Sequence, residues 1–179
     1  MITTVIQRST RVLIGVLAAG TLVGLAAPAA AEVSVTPTAA ATQLPADSHA
    51  DRRKERLHNR LALKLVNEER AKAGCAPLQK VDKLQTAASR HSAEQANRDR
   101  MGHDGNNGST IDDRLKGLGY SSWWENVAQA PDAQAVVNAW MNSPTHRSAI
   151  LNCAYKETGL DSEKSDASGK WYWTETFGG

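Results

Sequence analysis

The sequence offers few of the landmarks by which an activity is read. No serine stands in a Gly-x-Ser-x-Gly turn, and no glycine-rich phosphate loop follows a strand-like run. A nucleophile-elbow hydrolase and a nucleotide-phosphate site are thereby excluded as first readings. Only one long apolar run occurs, Val12 to Ala27, and its 16 residues fall short of the roughly 20 needed to cross a bilayer. There is no internal repeat. There is also no basic field: the formal net charge is +2, and the one local basic run is Arg52-Arg53-Lys54-Glu55-Arg56. A nucleic-acid partner needs far more positive charge than this, so that run reads as a solvated helix start.

The apolar run has a different use. Arg8 and Arg11 precede it and Ala29-Ala30-Ala31 closes it, the three-part pattern of a secretory signal peptide over residues 1–31, with cleavage before Glu32. Cleavage removes two arginines and no acid, which leaves 19 basic and 19 acidic residues. No transmembrane anchor is expected after cleavage, and the chain is expected to be secreted. In an oxidising compartment the two cysteines, Cys75 and Cys153, read as one disulfide, with two buried thiols as the alternative.

Residues 32–54 are rich in Ala, Thr, Pro and Ser and read as a linker. Residues 55–179 have the length of one domain with one core. A first helix carries Leu57, Leu61, Leu65 and Glu68 on one face, widened by Ala62 and Val66, and ends at Gly74 before Pro77. A second runs from about Asp82 to Arg98 with Leu84, Ala87, Ala88 and His91 at helical spacing. Gly102, Gly105 and Gly108 break the chain into a polar loop around His103. A short helix follows Thr110 as N-cap with Asp113 three residues on, and Gly119 closes it. A fourth helix begins near Asp132 and carries Val136, Val137, Trp140 and Met141. The run from Lys170 to Phe177 is strand chemistry, paired across a Ser/Asp/Gly-rich loop with residues 158–162. Helices first and strands later predict an α+β layered domain.

Three polar residues stand out. Ser143-Pro144 starts a helix, Ser as cap and Pro in the first turn, so His146 falls on the third helical position. There the helix dipole disfavours imidazolium and favours the neutral ring a metal requires. The competing reading is a surface histidine beside Arg147. His103 sits in a loop able to bring an imidazole to a cleft, or simply to solvent. Glu125 enters an apolar segment and must be paired, hydrogen-bonded or protonated, and it also suits a structural role capping a helix near Val127. His91, at the end of an apolar stripe, reads as a packed core histidine rather than a ligand.

In order along the chain stand Val66-Asn67-Glu68-Glu69-Arg70-Ala71-Lys72-Ala73-Gly74 with Pro77-Leu78, Met101-Gly102-His103, and Asp113-Arg114-Leu115 with Gly119-Tyr120. Glu125-Asn126-Val127-Ala128, Trp140-Met141-Asn142-Ser143-Pro144-Thr145-His146-Arg147, and Tyr172-Trp173-Thr174 before Phe177-Gly178 complete the set. This order resembles the CAP superfamily, named for cysteine-rich secretory proteins, antigen 5 and plant pathogenesis-related-one proteins, in its compact bacterial branch of SCP-like extracellular domains. The resemblance implies a three-layer α-β-α sandwich with a central cleft, lined in relatives by two histidines and two glutamates able to hold a divalent cation, often zinc. His103, Glu125 and His146 match three of the four. Animal and plant relatives carry the other glutamate three residues after the tryptophan, where Ser143 stands; either Glu157 takes its place or the site is a triad. Zn²⁺ suits two imidazoles and a carboxylate by ligand type and is not expected to be required for the fold. The resemblance implies an extracellular binding module for a lipid, sterol, cell-surface or cell-wall ligand. The alternative is a metal-dependent extracellular hydrolase or peptidase with Glu125 or Glu157 as base.

Overall fold

The first helix departs from its expected geometry in both length and face. In the computed structural model, which describes residues 46–179, α1 spans Ala46–Lys72 and so takes in residues 46–54 of the expected linker. The expected signal peptide, residues 1–31, and residues 32–45 of the expected linker lie outside the described residues. The run from Asp47 to Arg56 holds no proline or glycine, and nothing in it stops a helix from extending upstream. Leu57 and Leu61 face solvent, at 49 % and 45 % exposure, whereas Ala62, Val66 and Arg70 are fully buried. The inward stripe is rotated by about one residue, or 100°, because small Ala62 and Val66 let α1 approach the rest of the core closely.

The chain continues through β1 (Gln79–Lys80), α2 (Asp82–Asn97), α3 (Ile111–Leu115) with a 3-10 turn at Lys116–Leu118, and β2 (Trp123–Gln129). It then forms α4 (Ala133–Asn142), α5 (Pro144–Ile150), β3 (Glu157–Lys164) and β4 (Trp171–Gly178). The four strands are ordered β1-β3-β4-β2. β4 is antiparallel to both neighbours and β1 parallel to β3. Trp171, Trp173 and Phe177 of β4, Leu160 of β3 and Ala128 of β2 point to one face and pack with α1, α4 and α5 around Trp140, Val136 and Ile150. The other face carries Thr174, Thr176, Gly159 and Asp161 against α2. The result is an α+β fold in three layers. A Cβ at Gly159 would sit 2.1–2.3 Å from the Leu84 and Gln85 backbone, so glycine is what allows α2 to lie this close to the sheet.

Several local expectations hold for local reasons. Thr110 and Asp113 form a reciprocal capping box on α3, and the Asp132 carboxylate accepts from the Ala135 N–H at 2.8 Å at the start of α4. Ser143 occupies the cap position of α5 with Pro144 first in the helix, yet its hydroxyl makes no capping bond. Cys75 and Cys153 form a disulfide with Cα atoms 5.0 Å apart. Beside it, buried Arg70 donates to four carbonyls, of Ala76, Ile150, Asn152 and Tyr155, joining the end of α1 to the segment between α5 and β3.

Candidate functional site

Glu125 lies on β2, not at a helix start, and its carboxylate points to the α2 face of the sheet. The run Trp123–Gln129 pairs with β4 along its whole length, which fixes Glu125 opposite Thr176. The side chain is buried, and a buried carboxylate must be compensated. Arg114 does this: its Nη2 donates to Oε1 at 2.7 Å and to Oε2 at 2.9 Å. The same nitrogen reaches the His103 carbonyl at 2.7 Å, and Nη1 reaches the Ser109 carbonyl at 3.2 Å. Arg114 therefore ties the glycine loop, α3 and β2 together.

His103 is held from both ends. Its Nδ1 is 3.1 Å from Glu125 Oε1. A carboxylate only accepts, so Nδ1 is the donor here, and in the neutral ring Nε2 is left with the lone pair. The ring is half exposed, at 50 %. It lines a groove of about 240 Å³ with Ile111, Asp112, Trp123, Trp124 and Glu125. Trp123 is fixed by an indole N–H bond to Asp112 at 2.9 Å and Trp124 by one to Asn126 at 3.1 Å. His91 packs behind the site as a core histidine, its Nε2–H on the Gly102 carbonyl at 2.8 Å and 3.6 Å from Glu125 Oε1.

His146 sits on the third position of α5 and is half-buried. Its carbonyl accepts from the Asn126 side chain at 3.2 Å, which anchors α5 to the residue after Glu125. Burial, and then His103 when that ring is protonated, push the His146 ring below its ordinary pKa and so favour its neutral form. The His146 ring thus favours the form a cation needs. Among the described residues, however, the ligand atoms of His103, Glu125 and His146 do not all lie within 4.8 Å of one another. The acidic trio that meets this measure is Glu55, Asp161 and Glu163, between α1 and β3.

Glu157 is not brought to the other three. It starts β3, across from Gly178, two strands and two residues away from Glu125. Its carboxylate accepts a short hydrogen bond from the Tyr120 hydroxyl, which with burial raises the Tyr120 pKa. Tyr120 packs against Gly178 on one side and under the Lys83 ammonium, 4.0 Å from the ring, on the other. Glu157 thus belongs to a structural cluster at the sheet end, where position on β3 and not proximity in sequence decides its neighbours.

The residue that sequence reasoning missed is Arg114. Its partner is 11 positions away in another element, and no periodicity connects them. The only sign was its place in the Asp-Arg-Leu run of the resemblance. Glu125 itself changes role: with both oxygens on Arg114 and one on His103, it orients an imidazole rather than offering a free ligand oxygen.

Comparison with known proteins agrees with this architecture. An uncharacterized protein of Bacillus subtilis, YkwD, is 30 % identical over 154 residues, which is 84 % of this chain and 54 % of that protein. The chain thus spans about half the length of the curated relative it matches. An extracellular protein of Bacillus anthracis containing an SCP domain superposes with a TM-score of 0.65 at 23 % identity, over 75 % of this chain and 44 % of that one. An outer surface protein of Borrelia burgdorferi gives 0.59 at 24 % identity, over 65 % and 87 %. A cysteine-rich secretory protein of Staphylococcus aureus gives 0.56 at 25 % identity, over 69 % and 38 %. Residues 63–177 match the sequence profile of the cysteine-rich secretory protein family, CAP, and the chain belongs to that family.

Proposed function

We propose that this chain is a secreted binding module whose His103 groove takes an apolar or flat-faced extracellular ligand, a lipid, a sterol or a cell-surface molecule, beside a weakly held divalent cation. The observation that carries the reading is the double engagement of Glu125. A carboxylate neutralised by Arg114 and hydrogen-bonded to His103 Nδ1 is a poor base for activating water. It is well suited to fixing the His103 tautomer, the outer-shell role that carboxylates play behind metal-bound imidazoles. His103 Nε2 and the neutral His146 ring fit zinc by ligand type. Two protein nitrogens are fewer than the three ligands of a catalytic zinc site, so affinity is expected to be weak to moderate. The cation, when bound, supplies a Lewis-acidic anchor for a polar ligand group. Trp123, Trp124 and Ile111 supply the apolar walls. The signal-peptide pattern supports secretion.

Zinc titration by calorimetry tests the cation. Binding by wild type that is lost in a His103→Ala, His146→Ala double variant supports the reading, and equal heats for the two refute it. Identification of what co-purifies with the secreted protein tests the ligand. Turnover of a peptide library that is abolished both by a chelator and by Glu125→Gln would instead establish the hydrolase.

A further inference from the structure

α1 has a second ordered face, which the other described residues leave uncovered. At 100° per residue, Arg53, Arg56, Leu57, Arg60, Leu61 and Lys64 fall within an arc of about 140°, opposite the buried Ala62 and Val66. All six are exposed. Leu57 and Leu61 stand one turn apart and belong to a small set of large apolar side chains exposed to this degree among the described residues, with Met101 and Trp124. The one acid between positions 53 and 64 is Glu55, and it turns inward to Asp161 and Glu163. Lys64 is ion-paired with Glu68 one turn on, Lys54 lies over the Trp171 ring, and Arg56 is near enough to Glu55 to favour its charged form. Three arginines therefore lie along one side of a leucine pair on a surface about 17 Å long.

Solvated helix faces mix both signs of charge and rarely carry leucines in register. This face sets an apolar edge, Leu57 and Leu61, beside a basic edge of three guanidinium groups, the pairing of branched apolar and cationic side chains that interfacial helices use. The charge is also directional. Residues 32–179 are neutral as a whole, so positive charge gathered here is balanced by acid elsewhere, and an anionic surface would orient the domain with α1 toward it. We propose that this face of α1 docks the domain on an anionic phospholipid bilayer. Leu57 and Leu61 seat at the acyl boundary, and Arg53, Arg56 and Arg60 engage headgroup phosphates. The inference does not depend on the His103 groove.

Cosedimentation of the secreted protein with vesicles tests it. Binding is expected to vesicles of mixed phosphatidylglycerol and phosphatidylcholine and not to phosphatidylcholine alone. The triple change Arg53→Gln, Arg56→Gln, Arg60→Gln keeps helix propensity and is expected to lower partitioning on the order of 100-fold. Leu57→Gln with Leu61→Gln is expected to lower it about tenfold. The His103→Ala, His146→Ala variant is expected to bind vesicles like wild type, which separates this surface from the groove. Equal binding to neutral and anionic vesicles overturns the proposal. So does displacement by soluble polyglycerol phosphate combined with a leucine variant that binds like wild type, since a charged polymer is then the partner.

Discussion

Glu175 gives a quantitative test of how this core is balanced. Its side chain is fully buried on the middle strand, across from Asn126 of β2 and Leu160 of β3. Neither carboxyl oxygen has a hydrogen-bond partner. The neighbouring Thr158 hydroxyl, which favours the charged form, lies 2.8 Å from the Thr176 carbonyl and is shared with it. Arg70 favours the charged form, but its donors are committed to four backbone carbonyls. Burial therefore dominates and lifts Glu175 from its ordinary 4.5 to about 8. The unfolded chain releases this proton near pH 4.5 and the folded chain keeps it to about pH 8. Between those values the native state binds the extra proton, so stability is fully present below pH 4.5 and falls as pH rises through the window. At 1.36 kcal/mol per pKa unit the loss is about 3 kcal/mol by pH 7 and on the order of 5 kcal/mol above pH 8. Glu175→Gln keeps the shape and removes the titration. Urea unfolding followed by tryptophan fluorescence, repeated across pH, is expected to show equal stabilities near pH 4.5 and an increasing advantage for the variant on the alkaline side. The difference between the two proteins isolates Glu175 from Asp161, whose carboxyl burial and then Glu55 and Glu163 push up to about 7. A difference that stays flat with pH, or a variant less stable in alkali, would mean that Glu175 is ionised beside Arg70 and that the reasoning fails.

Other perturbations follow from geometry. Gly159→Ala forces a methyl into the α2 backbone and is expected to cost about 1–3 kcal/mol; an unchanged urea midpoint would refute the close approach. Replacing Cys75 and Cys153 by serine opens a loop with a sequence separation of 78. The expected loss is at most about 4.5 kcal/mol, read from thermal unfolding of wild type and variant, and coincident transitions would contradict it. Arg114→Gln leaves buried Glu125 without its cation and frees His103. Zinc affinity by calorimetry is expected to fall about 10–100-fold, with stability recovered in Arg114→Gln, Glu125→Gln, and an unaltered zinc affinity in the single variant would remove Arg114 from the site.

Most of the helices were legible because local chemistry decides them. Leu84, Ala87, Ala88 and His91 mark the inward side of α2, and the Thr110 and Asp132 caps mark where α3 and α4 begin. The β3–β4 hairpin was legible from its aromatic and threonine content. β2 was not: Glu125 to Ala128 is buried on both faces, so alternation, the usual strand signal, is missing. β1 is two residues long and exists only through pairing with β3. On α1 two stripes compete, and the one richer in leucine is not the one that packs, because closeness to the core selects the smaller residues. At the site, the types and local placement of His103 and His146 were readable. The Arg114–Glu125 pairing and the diversion of Glu157 to Tyr120 arise only when distant elements meet.

The middle strand of the sheet is also the latest to be synthesised among the described elements. β4 holds β2 and β3 together, and the Gly179 carbonyl accepts from the Ser121 and Ser122 amides. Until residues 171–179 leave the ribosome, β2 and β3 have no shared neighbour and the Trp140 core has no wall. The sheet is therefore completed by its last strand, after every other described element has been made.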